Sequence, residues 1–193
     1  MLGFEDETWW SRLAQPTLHA WTVADHPVRL LEKTLAQTDL EPKATVCYGL
    51  LARWQAAAES QEQIWLRFAK GHAKSGLTTQ FWAWCCDRVQ ACGKRVLALI
   101  WDNASWHLSA EVKQWVRAHN QQVKRQGHGV RLLICPLPTK SPWLNPIEPK
   151  WQFGKRQVVE PARVLAVDEL AERVCATLGC AHEALLTLPN YVP

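Results

Sequence analysis

The sequence predicts an α/β fold, a mixed sheet flanked by helices, from two observations. Strand-like segments come first, and helical and strand-like segments then alternate, which is the order typical of mixed α/β folds. Residues 96–101 and 132–135 are also short, continuous apolar runs, of the kind found in strands buried on both faces. With 193 residues and 48% hydrophobic content, the chain suits a single globular domain over residues 1–193.

Side-chain periodicity predicts the remaining elements in chain order. Alternating or strongly apolar segments indicate early strands at 2–10, 18–23, 43–52 and 64–69, with an irregular segment over 24–42. Apolar residues at helical spacing predict helices at 77–92, 109–126 and 168–180. Ser109 is expected to cap the second of these helices, and Gly93 and Gly127 to end the first and second.

Two acidic residues follow the two apolar runs. Asp102 directly ends the run 96–101, where α/β sheets place their ligands, although a lone aspartate there often only caps a turn. A proline-rich loop follows the second run, and Asn145 is expected to cap a helix with Pro146 in its first position. Pro149 allows that start to shift by a residue or two. Glu148 then belongs either to a site or to a capping box.

These motifs carry a resemblance to a known family. Asp102 and Asn103, with His107 five residues after the aspartate, and the segment SPWLNPIE, with Trp151 three residues on, resemble the DDE-type transposases of bacterial insertion sequences. The closest group is the IS-six-thirty and mariner-related one. The resemblance implies an RNase H-like fold and a catalytic trio of acids, the first of which lies on the first strand, within the segment FEDET.

Strand alternation selects one of the three acids in that segment. Asp6 shares a face with the apolar side chains of Leu2 and Phe4, whereas Glu5 and Glu7 lie on the other face with Gly3. An aspartate on an apolar face is costly without a partner such as a metal ion, whereas Glu5 and Glu7 are expected to be solvated. The predicted catalytic and metal-binding trio is therefore Asp6, Asp102 and Glu148.

The trio predicts a divalent-metal site. Mg²⁺ takes oxygen ligands, Mn²⁺ can substitute for it, and two ions are expected, with Asp102 bridging both. One ion would activate water or a DNA 3′-hydroxyl, and the other would stabilise the leaving oxygen. The resemblance implies the reaction: cleavage of DNA at the ends of a mobile element and transfer of those ends into target DNA.

Further residues are candidates for contacting DNA or supporting the site. Asn103, His107 and Asn145 match the family's motifs, and they either orient phosphate or water or tie loops to the sheet. Trp106 and Trp143 either stack on bases or pack internally. Cations near the acids are needed to contact phosphates, and the candidates are Lys140, Lys150, Lys155 and Arg156.

Composition sets the expectations about setting and partners. A net charge of +4 and a pI near 8.7 permit DNA binding without demonstrating it. Seven cysteines fit reduced thiols, and no apolar run is long enough to span a bilayer, so a cytoplasmic, nucleoid-associated protein is expected. The family's N-terminal helix-turn-helix domain is expected to be absent, so the partners are DNA and either a second copy or a chain carrying that domain. Two alternatives remain open: a general RNase H-like nuclease, and an inactive or truncated remnant that only binds DNA or dimerises.

Overall fold

A computed structural model describes residues 1–13, 38–139, 141–158 and 163–188. These residues form a five-stranded sheet of order β3-β2-β1-β4-β5. Its strands are β1 (Leu2–Ser11), β2 (Ala44–Ala56), β3 (Glu59–Lys70), β4 (Val96–Trp101) and β5 (Arg131–Pro136). The first three strands are antiparallel, while β4 runs parallel to both β1 and β5. The predicted mixed α/β class is confirmed, with β1 at the centre of the sheet.

Helices cover both faces of this sheet. They are α1 (Ser75–Ala91), α2 (Ala110–Gln126), α3 (Glu148–Gln157) and α4 (Val167–Leu178), and a short 3-10 helix spans Pro142–Leu144. On one face, α1 and α2 close an apolar cluster that includes Phe81, Trp82, Leu97 and Leu99. On the other face, α3 and α4 close a second cluster that includes Leu66, Phe68, Trp151, Leu170 and Val174. Burial of apolar surface on both faces therefore stabilises the central strand from two sides.

The helix and strand predictions agree with the structure wherever it describes the residues concerned. Ser109 caps α2 as predicted, because its Oγ accepts the Val112 N–H across 3.2 Å, and Gly127 ends that helix with a φ of 70°. The strand expected at 18–23 and most of the irregular segment 24–42 lie outside the described residues. Within the described part of the chain, no helix is both long enough and apolar enough to cross a membrane.

The predicted cap of α3 is wrong. The helix begins at Glu148, with Ile147 as its N-cap residue and Pro149 in its first turn, and no side chain caps it. Asn145 is occupied elsewhere, because its Nδ2 donates to the backbone oxygen of Glu5 across 3.0 Å. The helix therefore starts beside Pro149, the residue that allowed the predicted start to shift, and Glu148 does not form a capping box.

Candidate active site

Asp6 and Asp102 lie on adjacent parallel strands. The pairing of β1 with β4 ends with Phe4 opposite Ile100, and each aspartate comes two residues after that pair. Because parallel strands advance together by about 3.3 Å per residue, this register brings the two acids to the same level, at the carboxyl end of β4. By strand alternation, both aspartates also lie on the side of the sheet that faces α3 and α4.

Glu148 reaches the same region from α3. The residue before it, Ile147, is fully buried, and the indole of Trp151, one turn later, is 2% exposed. Trp151 packs over the bare Cα of Gly49 in β2, where a Cβ would lie 2.3 Å from the ring. Since Gly49 is the strand partner of Asp6, this contact holds the start of α3 beside that aspartate.

The charges of both other acids of the predicted trio act on Asp6. Burial, followed by the negative charges of Glu148, Glu7 and Asp102, raises the pKa of Asp6 to about 7, against a lowering effect of the Trp151 hydrogen bond. In that hydrogen bond the Trp151 Nε1–H donates to Asp6 Oδ2 across 2.8 Å. A carboxyl group with a raised pKa among other carboxylates is a frequent property of functional sites.

The expectation that Glu5 and Glu7 are solvated is wrong. Glu5 is 0% exposed and Glu7 is 8% exposed, on the face of β1 that α1 covers. The reason is the position of β1 at the centre of a sheet with helices on both faces, so that the apolar cluster under α1 and α2 closes over the middle of the face that carries Glu5 and Glu7. Asp6, on the face of α3, is less deeply buried than either glutamate.

His107 joins these buried glutamates to Asp102. Its Nε2 lies 3.2 Å from Glu7 Oε1 and 3.2 Å from Glu5 Oε2, and its Nδ1 lies 3.1 Å from Asp102 Oδ1. Burial lowers the pKa of His107, but the surrounding carboxylates outweigh burial and hold that pKa well above its usual value. Burial raises the pKa of Glu5, and it raises the pKa of Glu7 to about 7. The hydrogen bond from His107 lowers the pKa of Asp102.

The two asparagines of the motifs bind backbone. Asn103 Nδ2 donates to Leu137 O across 2.7 Å, which ties the end of β4 to the residue after β5. Asn145 does the same for the loop before α3 through its bond to Glu5. Both therefore tie loops to the sheet around the acids, which is one of the two roles that the sequence left open.

The basic candidates differ in their surroundings. Lys150 Nζ pairs with Glu62 Oε1 across 3.0 Å, and Arg53 pairs with the other oxygen of the same glutamate, so two cations share one carboxylate. Lys155 and Arg156 are exposed in the last turn of α3. Lys140 lies outside the described residues.

The two tryptophans near the site also differ. Trp143 lies in the 3-10 helix after the proline loop and is 75% exposed. Trp106 packs edge-on against Trp9 and donates its indole N–H to Glu7 Oε1 across 3.0 Å. Trp106 is thus a packing residue of the His107 cluster, whereas Trp143 presents an indole to solvent in the segment before α3.

Asp6, Asp102 and Glu148 offer oxygen ligands from three elements, the donor set that Mg²⁺ and Mn²⁺ prefer. Asp102 is also the most accessible of the residues around His107, with a side chain 52% exposed. A second potential ligand set, Glu5, Glu7 and His107, has ligand atoms within 4.8 Å of one another. Sequence reasoning missed Glu5, Glu7 and Trp151 as parts of the site. The signal for the glutamates was their alternation: Glu5 and Glu7 share one face of β1, and a central strand has that face covered.

A family model described as DDE superfamily endonuclease matches residues 28–171 of the chain. No curated protein matches the chain significantly.

Among solved structures, the chain is similar to the Mos1 transposase paired-end complex with left transposon end, with 13% identity and a TM-score of 0.63, over 93% of this chain and 48% of that one. It is also similar to the Mos1 strand transfer complex, with 13% identity and a TM-score of 0.60, over 93% of this chain and 47% of that one. A third similar structure is the Mos1 mariner paired end complex with Mn, with 14% identity and a TM-score of 0.60, over 92% of this chain and 48% of that one. The likeness confirms the RNase H-like fold, and the chain spans about half the length of these structures.

Proposed function

This chain belongs to the DDE superfamily endonuclease family, and from that premise we propose that it is the catalytic domain of an insertion-sequence transposase, cutting DNA at element ends and joining those ends to target DNA. The observation that supports the proposal is the register that brings Asp6 and Asp102 to the same level of adjacent parallel strands, together with the effect of the Asp102 and Glu148 charges on the pKa of Asp6. Metal-dependent nucleases need such a carboxylate cluster, because hard cations take oxygen ligands.

The proposed ligands of two Mg²⁺ or Mn²⁺ ions are these three carboxylates, with Asp102 shared by both ions. When bound, such ions supply Lewis-acid stabilisation of the attacking and leaving oxygens. The protein's part is placement: Trp151 orients Asp6, and the buried Ile147 and Trp151 fix the start of α3, which carries Glu148. In support, one of the similar Mos1 structures is described as a complex with Mn and another as a complex with Mg.

The proposed chemistry is displacement at phosphorus. In cleavage, water adds across a P–O3′ bond and leaves a 5′-phosphate and a 3′-hydroxyl. In joining, that 3′-hydroxyl oxygen attacks a target phosphate and releases the target's own 3′-oxygen, which takes up the proton. One phosphodiester bond forms as one breaks, so joining needs neither an external energy source nor a covalent bond to the protein.

We propose DNA as the partner, supported by the titles of the Mos1 structures, which describe paired-end and strand transfer complexes. Lys155 and Arg156 are the exposed cations on α3 that we expect to contact phosphates. Recognition of specific element ends is proposed to come from a helix-turn-helix domain outside these residues, and the working form to be a homodimer or a complex with the chain carrying that domain.

The test is nicking of supercoiled plasmid by the purified chain in Mn²⁺, in Mg²⁺ and in EDTA. Asp6→Asn, Asp102→Ala and Glu148→Gln should each lower the rate by about a hundredfold or more, because each removes an ion ligand. The matched control is Asp87→Asn, which changes an exposed aspartate on α1 and should leave the rate unchanged.

A second assay separates the proposal from its rivals. Joining of a labelled duplex with a free 3′-hydroxyl to the plasmid would support a transposase. Metal-dependent nicking without joining would favour a general nuclease of the same fold. Well-folded protein that binds Mn²⁺ at the trio but neither nicks nor joins would favour an inactive remnant.

A further inference from the structure

Glu5, Glu7 and His107 form a buried group with no role in the chemistry proposed above. Their side chains are 0%, 2% and 0% exposed, and Trp82 and Trp101 cover the imidazole, with the Trp101 ring stacked 5.2 Å from it. Burying charged groups is costly unless they pair with one another. A group kept at that cost beside a catalytic site calls for a function.

The histidine ring has a carboxylate oxygen at each of its nitrogens. Nε2 faces Glu5 and Glu7, while Nδ1 faces Asp102. An ionised carboxylate only accepts hydrogen bonds, so where Glu7 and Asp102 are both ionised the ring carries a hydrogen on both nitrogens. The Nε2–H satisfies Glu7, whose Oε1 is its acceptor, while neither oxygen of Glu5 has a hydrogen bond to any described residue.

The ring also links the two faces of the sheet. Glu5 and Glu7 lie on the α1 face of β1, whereas Asp102 shares the face of Asp6. His107 lies in the turn after β4 and reaches from the buried glutamates to Asp102 around the end of that strand. The Ala104 N–H donates to the same oxygen of Asp102, Oδ1, across 2.8 Å. Among the described residues no hydrogen bond reaches Oδ2, which is left for a cation.

We propose that His107 is a positioning residue, anchored by Glu5 and Glu7, which fixes Oδ1 of Asp102 so that Oδ2 is presented to the metal ions. The proposal rests on the proposed function, since it assumes that Asp102 is an ion ligand. It assigns Glu5 and Glu7 the part of a buried anchor. Partners of this kind, one step behind a metal ligand, typically change metal affinity by 10- to 100-fold when they are removed.

The same three residues offer the ligand atoms of a further metal site, and two observations favour the anchor instead. The cluster is closed to solvent, with no oxygen exposed enough to keep a coordinated water. With two divalent ions held by the proposed trio, those ions and one protonated imidazole would also balance the charges of the five neighbouring carboxylates. A third ion would replace that proton and leave an excess of positive charge.

Two substitutions of His107 each remove one of its two contacts and keep the other. In His107→Asn the side-chain amide takes roughly the place of Nδ1, so it can still donate to Asp102 but not to the glutamates. In His107→Gln the amide takes roughly the place of Nε2, so the opposite holds. The measurements are Mn²⁺ affinity by titration calorimetry and melting temperature without metal.

We expect His107→Gln to weaken Mn²⁺ binding by 10- to 100-fold, and His107→Asn to keep it within about threefold of the native value. The melting temperatures should fall in the opposite order, with His107→Asn lower, because it leaves both buried glutamates unpaired. A merely structural histidine would make Mn²⁺ affinity follow stability, and that result would overturn the proposal. So would Mn²⁺ binding that survives Asp102→Ala but is lost in both histidine variants, since that result places an ion at the buried group.

A second pair of variants serves if the histidine substitutions prevent folding. Glu7→Gln keeps an acceptor for Nε2 and for Trp106, whereas Glu7→Ala releases the ring. We expect Glu7→Ala to bind Mn²⁺ at least about tenfold more weakly than Glu7→Gln, although both lose the same charge. Equal affinities would contradict the anchor.

Failure of this inference can be told from failure of the proposed function. If the native chain does not bind Mn²⁺, or binds it as tightly after Asp102→Ala, the proposed metal site is wrong. The inference is then judged from crystal structures of the metal-free variants. The Asp102 carboxylate should keep its native position in His107→Asn and leave it in His107→Gln, and an unmoved carboxylate in both would overturn the anchor.

Discussion

Trp151 donates its indole N–H to Asp6 Oδ2 across 2.8 Å, and its ring covers the bare Cα of the aspartate's strand partner, Gly49. One side chain thus performs two tasks: it sets the orientation of a carboxylate on β1, and it fixes the helix that carries Glu148. The hydrogen bond acts against burial, because it favours the charged form of Asp6 that a cation requires.

Replacement of this indole should separate the two tasks. Trp151→Phe keeps most of the ring and removes the N–H, so we expect a loss of about 1–2 kcal/mol in the free energy of unfolding at pH 8. The pKa of Asp6 should rise, and Mn²⁺ binding should weaken several-fold. The control is Trp65→Phe, at a 3% exposed tryptophan on β3 whose indole N–H donates to Gln63 Oε1 across 3.1 Å. That variant should lose stability and keep its Mn²⁺ affinity, and equal losses of affinity in the two variants would contradict the role of the hydrogen bond.

The pKa values predict an unusual dependence of stability on pH. Asp6 and Glu7 have pKa values near 7 in the folded chain, above the ordinary values of 3.8 and 4.5, so the folded state binds more protons between those limits. Stability therefore falls as the pH rises from about 4.5 to about 7.5. His107 adds to the fall above its unfolded value of 6.5, because its folded pKa is raised.

Urea unfolding of the metal-free chain at pH 5 and pH 8 measures this effect. We expect the lower stability at pH 8, and its partial recovery on addition of Mn²⁺, since a bound ion stabilises the folded state in proportion to its binding. In Asp6→Asn the difference between the two pH values should shrink. A native chain that is more stable at pH 8 than at pH 5 without metal would show that these acids are not held protonated by burial.

The sequence predicted the fold because its main signals are local. The apolar run that ends in Asp102 and the capped helix after Ser109 depend on side chains that are neighbours in the chain. Strand alternation also placed Asp6 correctly opposite Glu5 and Glu7. It did not reveal that both faces are covered, because the central place of β1 depends on pairing with β2 and β4, which lie far along the chain.

The parts of the site that escaped prediction depend on long-range contacts. His107 lies 100 residues from Glu7, and Lys150 lies 88 residues from its partner Glu62, so neither pairing leaves a local pattern. Asn145 has the composition of a helix cap, but the distant backbone of Glu5 takes its side chain. In each case a tertiary partner outweighs the local preference.

The close approach of β2 to α3 predicts that Gly49 cannot be enlarged. In Gly49→Ala the new Cβ would lie 2.3 Å and 2.5 Å from two atoms of the Trp151 ring, so the start of α3 must shift. We expect a loss of about 1–3 kcal/mol in the free energy of unfolding, together with a drop in nicking activity larger than that loss of folded protein explains. The control is Gly3→Ala, whose Cβ meets the mobile ends of Leu50 and Leu97 on the opposite face. That variant should lose stability with no fall in activity per folded molecule.

Trp143 offers a test of DNA contact that is independent of catalysis. Its indole is 75% exposed in the segment before α3, and we expect it to stack on an unpaired or distorted base. In metal-free buffer, Trp143→Ala should weaken binding of a labelled single-stranded oligonucleotide by about five- to a hundredfold, the range for loss of one stacked base, and leave the melting temperature unchanged. Phe153→Ala, at a 52% exposed aromatic on α3, is the matched control and should alter neither quantity. An equal loss of affinity in both variants would indicate general apolar contact, and no loss in Trp143→Ala would exclude stacking by this residue.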